Sequence, residues 1–165
     1  MHRSTAILIT NNLTRIGKYA PPRIWNAVFS MGWNRWTTAR RFQKRHHSEN
    51  KCRLGCGQLH SSPEDSIEHY CHCSIGKRVG RNTLRILKEG DSRQQAMMQA
   101  CKLDKEESLL WAILVYALYT STNQARARGV WLSPEEGEAA MKQNIRNGIM
   151  GHQLCTRLVE GRFLI

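Results

Sequence analysis

No acidic side chain occurs before Glu49, whereas nine Lys or Arg residues do, from Arg3 to Arg45. A start without negative charge cannot neutralise itself, which excludes a balanced surface for this part of the chain. Long apolar runs are missing too. The longest, Leu109 to Tyr119, has eleven residues, where a membrane span needs about 20; it reads as a buried helix. Ala6-Ile7-Leu8-Ile9 is far too short for the core of a secretory signal, so a reducing compartment is expected, nuclear or cytoplasmic. An acid-free start bearing Arg, Ser and Thr also suits a mitochondrial transit peptide. Aspartate is scarce: Asp65, Asp91 and Asp104 are the whole set, with no Asp-Asp or Asp-x-Asp pair. The converging carboxylates of polymerases and two-metal nucleases are therefore absent. No Gly-x-Ser-x-Gly elbow occurs, and Gly76-Lys77-Arg78-Val79-Gly80-Arg81 lacks the Gly-Lys-Ser/Thr ending of a phosphate loop. The chain reads as a protein that is not an enzyme.

What is present is enough to fold. A length of 165 residues with 41% apolar side chains can bury a real core without depending on metal or disulfides for bulk. The 25 Lys and Arg residues against 13 Asp and Glu give a net charge of +12, which calls for a polyanion or an acidic surface as partner. The excess is one-sided: residues 1 to 105 hold 19 basic against 7 acidic side chains, while residues 106 to 165 hold 6 of each. Three segments follow from this asymmetry. Residues 1–22 are expected to be a basic leader or arm, 23–90 a basic zinc-binding region and 91–165 a helical packing region.

Few segments alternate as strands do, so the expected class is mainly α, a helical domain with a small metal-held lobe. Residues 1–22 show little periodicity and close on Pro21-Pro22. Ile24, Ala27, Val28 and Met31 then recur at helical spacing and predict a helix over Arg23–Met31, with another across Trp36–Arg45. Ser62-Pro63-Glu64-Asp65 is a helix start signal and predicts a short helix from Pro63 to about Cys73. A basic helix is expected from Arg81 to about Lys88. Asp104 caps a long helix ending near Gly129, and Ser133-Pro134-Glu135-Glu136 opens a last one through Met141 and Ile145.

The chemistry concentrates in Cys52-x3-Cys56-x12-His69-x3-Cys73. Thiolate and imidazole are the ligands zinc prefers, and four protein ligands close the coordination shell, the mark of a structural ion. Gly55 lets the chain turn between Cys52 and Cys56. His69 and Cys73, four apart on a predicted helix, project from one face. For the fourth position His72, His60 or Cys71 could stand in, whereas Cys101 and Cys155 read as core residues. Four free cysteines with no common purpose are the plain alternative.

The run Lys51-Cys52-Arg53-Leu54-Gly55-Cys56, with Asp65-Ser66-Ile67-Glu68-His69-Tyr70 and Cys73, resembles the zinc-binding region that follows the reverse transcriptase domain of non-LTR retrotransposons. Trp25 and Trp33-Asn34-Arg35-Trp36-Thr37-Thr38-Ala39-Arg40-Arg41-Phe42 look like the helical lead-in to that region. The resemblance covers about residues 24–76, and family members often have two rather than three residues between the first cysteines. It implies a module that helps hold template RNA or target DNA beside a polymerase-containing protein. It does not imply the polymerase, whose Tyr-x-Asp-Asp signature this chain lacks.

Around the metal motif, Arg35, Arg40, Arg41, Lys44, Arg45, Arg53, Lys77, Arg78, Arg81 and Arg85 are candidates to neutralise RNA or DNA phosphates, with Trp33 and Trp36 as faces for base stacking. Neither a membrane nor a small-molecule substrate is expected. Two other readings fit the same residues: a zinc-shaped surface for a protein partner, and a relic reading frame of a truncated element without function.

Overall fold

The computed structural model describes residues 3–42, 49–58, 63–85 and 92–151. Seven α-helices follow one another: α1 (Arg3–Gly17), α2 (Pro22–Gly32), α3 (Ile67–His72), α4 (Ser74–Val79), α5 (Arg93–Ala100), α6 (Lys105–Ala127) and α7 (Pro134–Met150). A 3-10 turn over Cys56–Gln58 and a π-helical turn over Gly80–Leu84 complete the regular structure. Among the described residues there is no strand, so the class is mainly α as expected. No helix among them is long and apolar enough to cross a membrane.

Helix α6 is the centre of the core. All residues from Ser108 to Leu118 are buried, so this helix has no water-facing side over three turns, the pattern of a helix enclosed by others. α2 and α7 pack against it, and α1 lies against both α2 and α6. Both sequence-predicted caps of this half are present. Asp104 Oδ1 accepts from Glu107 N at 2.8 Å, and Ser133 and Glu136 exchange side-chain and backbone hydrogen bonds at 3.2 and 2.8 Å. Each satisfies amide groups that a helix start leaves without partners.

Four expectations are corrected. The leader is helix α1, whose Leu13 and Ile16 are buried in the common core; exposed Ile7 and Leu8 on the same helix hide the pattern. Arg15 on this helix donates to the carbonyls of Leu103 (2.9 Å) and Ala100 (3.2 Å) and to Ser108 Oγ (2.8 Å), capping the C-terminal end of α5 where it meets α6. Second, Trp36–Phe42 is not helical: Asn34 at φ 54° reverses the chain after α2, and the amides of Ala39 and Arg40 donate to Asp65 rather than back along a helix. The remainder of that expected helix, 43–45, lies outside the described residues. Third, α3 begins at Ile67, because Ser66 is the cap that accepts from His69 N (3.1 Å) and the Pro63 carbonyl is taken by Cys52 N (2.9 Å). Fourth, Gly80–Leu84 continues α4 as a π-turn that ends on Arg85 at φ 53°; residues 86–88 are outside the description. α5, opened by Ser92, has too polar a sequence to announce itself. Cys101 is half-buried at its end rather than a core residue, and Cys155 lies outside the described residues.

The metal-motif segment is not a separate body. Leu54, Ile67, Tyr70, Ile75 and Val79 belong to the same core cluster as α6 and α7. The Cys52–Cys56 turn lies backbone to backbone on the start of α7. A Cβ placed on Gly137 would run into the Leu54 carbonyl oxygen, and one on Gly55 would meet the Leu132 carbonyl oxygen at 2.5 Å. Gly137→Ala thus sets two effects against each other: alanine gains about 1 kcal/mol of helix propensity, and the backbone clash costs about 1–3 kcal/mol or more. Because backbone cannot swing aside, Gly137→Ala is expected to destabilise the protein by about 2 kcal/mol in a urea titration; a stabilised variant would contradict the contact.

Candidate metal centre

Two short structures deliver the four ligand atoms. The first is the turn Cys52–Cys56. Arg53 N donates to Tyr70 Oη (3.1 Å), the Arg53 carbonyl accepts from Leu132 N (3.1 Å), and Gly55 takes φ +87°, a conformation open to glycine at no steric cost. The second is α3, which carries His69 in its first turn and ends at Cys73, whose extended backbone (φ −52°, ψ 128°) separates α3 from α4. The sequence spacing therefore reaches the same end by a different route: Cys73 is the C-cap of α3 rather than a residue within it.

The ligand atoms of Cys52, Cys56, His69 and Cys73 all lie within 4.8 Å of one another, and all four residues are buried. The Cys52 and Cys73 Sγ atoms are 3.9 Å apart, far beyond a disulfide bond of about 2.04 Å. That separation fits the edge of a tetrahedron with metal–sulfur bonds of about 2.3 Å, which is about 3.8 Å. Cys56 Sγ and His69 Nε2 stand 3.1 Å apart, a direct hydrogen bond that a metal between them would open. His72 is exposed, stands outside the cluster and meets the His69 ring edge-on at 5.3 Å. Cys71 is buried outside the cluster, and His60 lies outside the described residues. The group could hold a metal ion.

The three thiols perturb one another strongly. Hydrogen bonds from Cys52 and Cys56 hold the Cys73 thiol well below its ordinary value, against the effect of burial and with help from His69. Cys52 is pushed far upward by Cys56 and Cys73 and then by burial. Cys56 is drawn down by Cys52, but Cys73 and burial prevail and push it up to about 12. One thiolate is tolerated and a second is not, unless a cation enters.

Asp65 frames this arrangement, and it is 0% exposed. Its Oδ1 accepts from Tyr70 Oη (2.6 Å) and Arg126 Nη2 (3.0 Å), and its Oδ2 from Arg126 Nε (3.0 Å) and Ala39 N (2.9 Å). One carboxylate thereby joins the Thr38–Arg40 segment, the start of α3 and the end of α6. Through Tyr70 it also reaches the backbone between the first two cysteines. Burial, then Cys52 and Asp65, push the Tyr70 hydroxyl well above its ordinary value, which keeps it a proton donor. The Asp65–Tyr70–Arg126 network was not legible as such: Asp65 reads as a helix-start acid and Arg126 as a helix-end base. Its one signal is that Asp65 is the sole aspartate between the second cysteine and the histidine.

The candidate phosphate contacts divide. Arg35, Arg40 and Arg41 are exposed on the Trp33–Phe42 segment, and Arg81 and Arg85 are exposed beyond α4. Lys77 is half-buried, and Arg78 pairs with Glu138 of α7 at 3.5 Å. Arg53 departs from the expectation of a solvent-facing base: it is 8% exposed and its guanidinium lies 4.0 Å from the Trp131 ring centroid. Lys44 and Arg45 lie outside the described residues. Of the two stacking candidates, Trp33 is 59% exposed, whereas Trp36 is a core residue at 1% whose indole N–H donates to the Ala27 carbonyl.

Compared with family models, with curated proteins and with solved structures, the chain matches none.

Two substitutions separate the buried network from a surface pair. Asp65→Asn leaves the Arg126 guanidinium, 12% exposed, without its counter-charge, and a loss of about 3 kcal/mol is expected in chemical denaturation. Glu68→Gln removes a partner of Arg93 that is 57% exposed at 3.7 Å, and a loss under about 1 kcal/mol is expected. Equal losses would show that Asp65 is not the frame.

Proposed function

We propose that this chain is a zinc-stabilised nucleic-acid-binding module, resembling the accessory region of a non-LTR retrotransposon reverse transcriptase without the polymerase itself. The observation that carries the proposal is the pairing of a buried Cys3His cluster with a one-sided basic chain of net charge +12. Zinc is the metal that three thiolates and one imidazole in a closed tetrahedron select, with no open position for a reacting water. Its role is structural. By analogy with zinc-finger peptides, the ion contributes on the order of 10 kcal/mol to ordering its surroundings. The residues it orders include the Asp65 network, which fixes the segment that carries Arg35, Arg40 and Arg41.

Those exposed arginines supply the phosphate contacts, and nothing in them reads base sequence. Binding is accordingly driven by counterion release and carries little sequence preference. RNA and DNA are both partners on this reading.

The test is affinity of the metal-loaded chain for RNA and DNA oligonucleotides over a range of salt. Log affinity is expected to fall linearly with log salt, and the pair Arg40→Ala and Arg41→Ala to reduce that slope by about 1.5, at about 0.7–0.9 per phosphate contact. Both residues are exposed, so the fold is retained. Binding insensitive to salt, or weak at moderate salt beside a saturable protein partner, would overturn the proposal.

A further inference from the structure

Between the Thr37–Phe42 segment and the last turns of α6 opens a cleft of about 480 Å³, within the size range of small-ligand sites. Thr37, Asn123, Arg126, Arg53 and Phe42 line it, together with Asp65. The cleft is separate from the metal cluster, none of whose four ligands lines it.

Arg53 is the telling residue. It is 8% exposed; its Nη1 donates to the Val130 carbonyl at 3.1 Å and its guanidinium stacks on Trp131. Its Nε is buried and donates to no group among the described residues. A buried charged donor without an acceptor is costly, and folded proteins rarely leave one. Among the described residues that line the cleft, Asp65 is the sole carboxylate, and Arg126, Tyr70 and Ala39 already occupy its oxygens. With Arg53 and Arg126 against one saturated acid, the cleft is cationic and suits an anion.

The rim adds a second chemistry. Phe42 is 58% exposed on the cleft's edge, with the Arg41 guanidinium 5.5 Å from its ring centroid. A cationic cleft beside an accessible aromatic ring matches a ligand with both a phosphate and a planar base.

We propose that this cleft holds one nucleotide of a single-stranded nucleic acid, its phosphate in the cationic interior beside the Arg53 side chain and its base against Phe42. The inference rests on the nucleic-acid reading above and narrows it, because a base paired inside a duplex cannot enter a cleft. An acidic peptide with an aromatic side chain is the competing occupant.

The experiment uses the metal-loaded full chain with ¹⁵N-labelled arginine and a short oligothymidylate. The Arg53 Nε–H resonance, identified by its loss in Arg53→Lys, is expected to shift on titration. Phe42→Ala, at an exposed position, is expected to weaken oligothymidylate binding about tenfold, the loss of one base stack, and to leave duplex DNA affinity unchanged. Wild-type affinity for oligothymidylate in both Phe42→Ala and Arg53→Lys would overturn the cleft while leaving the basic face standing. Equal weakening of single strand and duplex by Phe42→Ala would also overturn it. No oligothymidylate binding by the wild type would overturn the cleft, and if RNA and duplex DNA are not bound either, the nucleic-acid reading falls with it, whether or not an acidic aromatic peptide binds.

Discussion

Three thiols and an imidazole occupy one small buried volume, every pair of ligand atoms within 4.8 Å, and the rest of the structure is arranged around that crowding. Sulfur atoms so close in a low-dielectric interior cannot all ionise. Hydrogen bonds from its neighbours hold the Cys73 thiol low, while Cys52 and Cys56 are pushed upward. A divalent soft-ligand metal removes the conflict, since it draws off the protons and leaves each thiolate with a positive neighbour. The geometry needed for this, 3.9 Å between the Cys52 and Cys73 sulfurs, stands ready in the fold.

What holds the ligands in register is polar and buried. The Asp65 carboxylate collects donors from three stretches of chain far apart in sequence, and Tyr70 passes its influence to the amide of Arg53. The Gly55–Gly137 contact region fixes the opposite side of the cysteine turn against α7. The Cys3His cluster, the basic segment and the C-terminal helices are thus one mechanical unit, which gives residues 91–165 a role that their neutral charge did not suggest. They are the platform on which the basic segment and the cleft beside it are mounted.

The parts of this fold readable from sequence are those governed by local rules. The caps at Asp104 and Ser133 depend on side chains three residues away, and the buried length of α6 on a continuous apolar run, so both were plain. The Cys52, Cys56, His69 and Cys73 set was legible because metal geometry restricts spacing. The failures lie where a distant partner competes with local preference. Trp36–Phe42 has helix-like composition, but Asp65 takes its amides; Ser62-Pro63 has a start signal, but Ser66 caps the helix. Arg53 looked like one more surface cation, and only the fold places it under Trp131 with a buried, unused Nε.

The central claim, that these four side chains form one zinc site, is tested most directly by X-ray absorption at the zinc edge of the reduced, metal-loaded chain. Three sulfur neighbours at about 2.3 Å and one nitrogen at about 2.0–2.1 Å are expected. A shell dominated by oxygen, fewer than three sulfurs, or failure to take up zinc would contradict it.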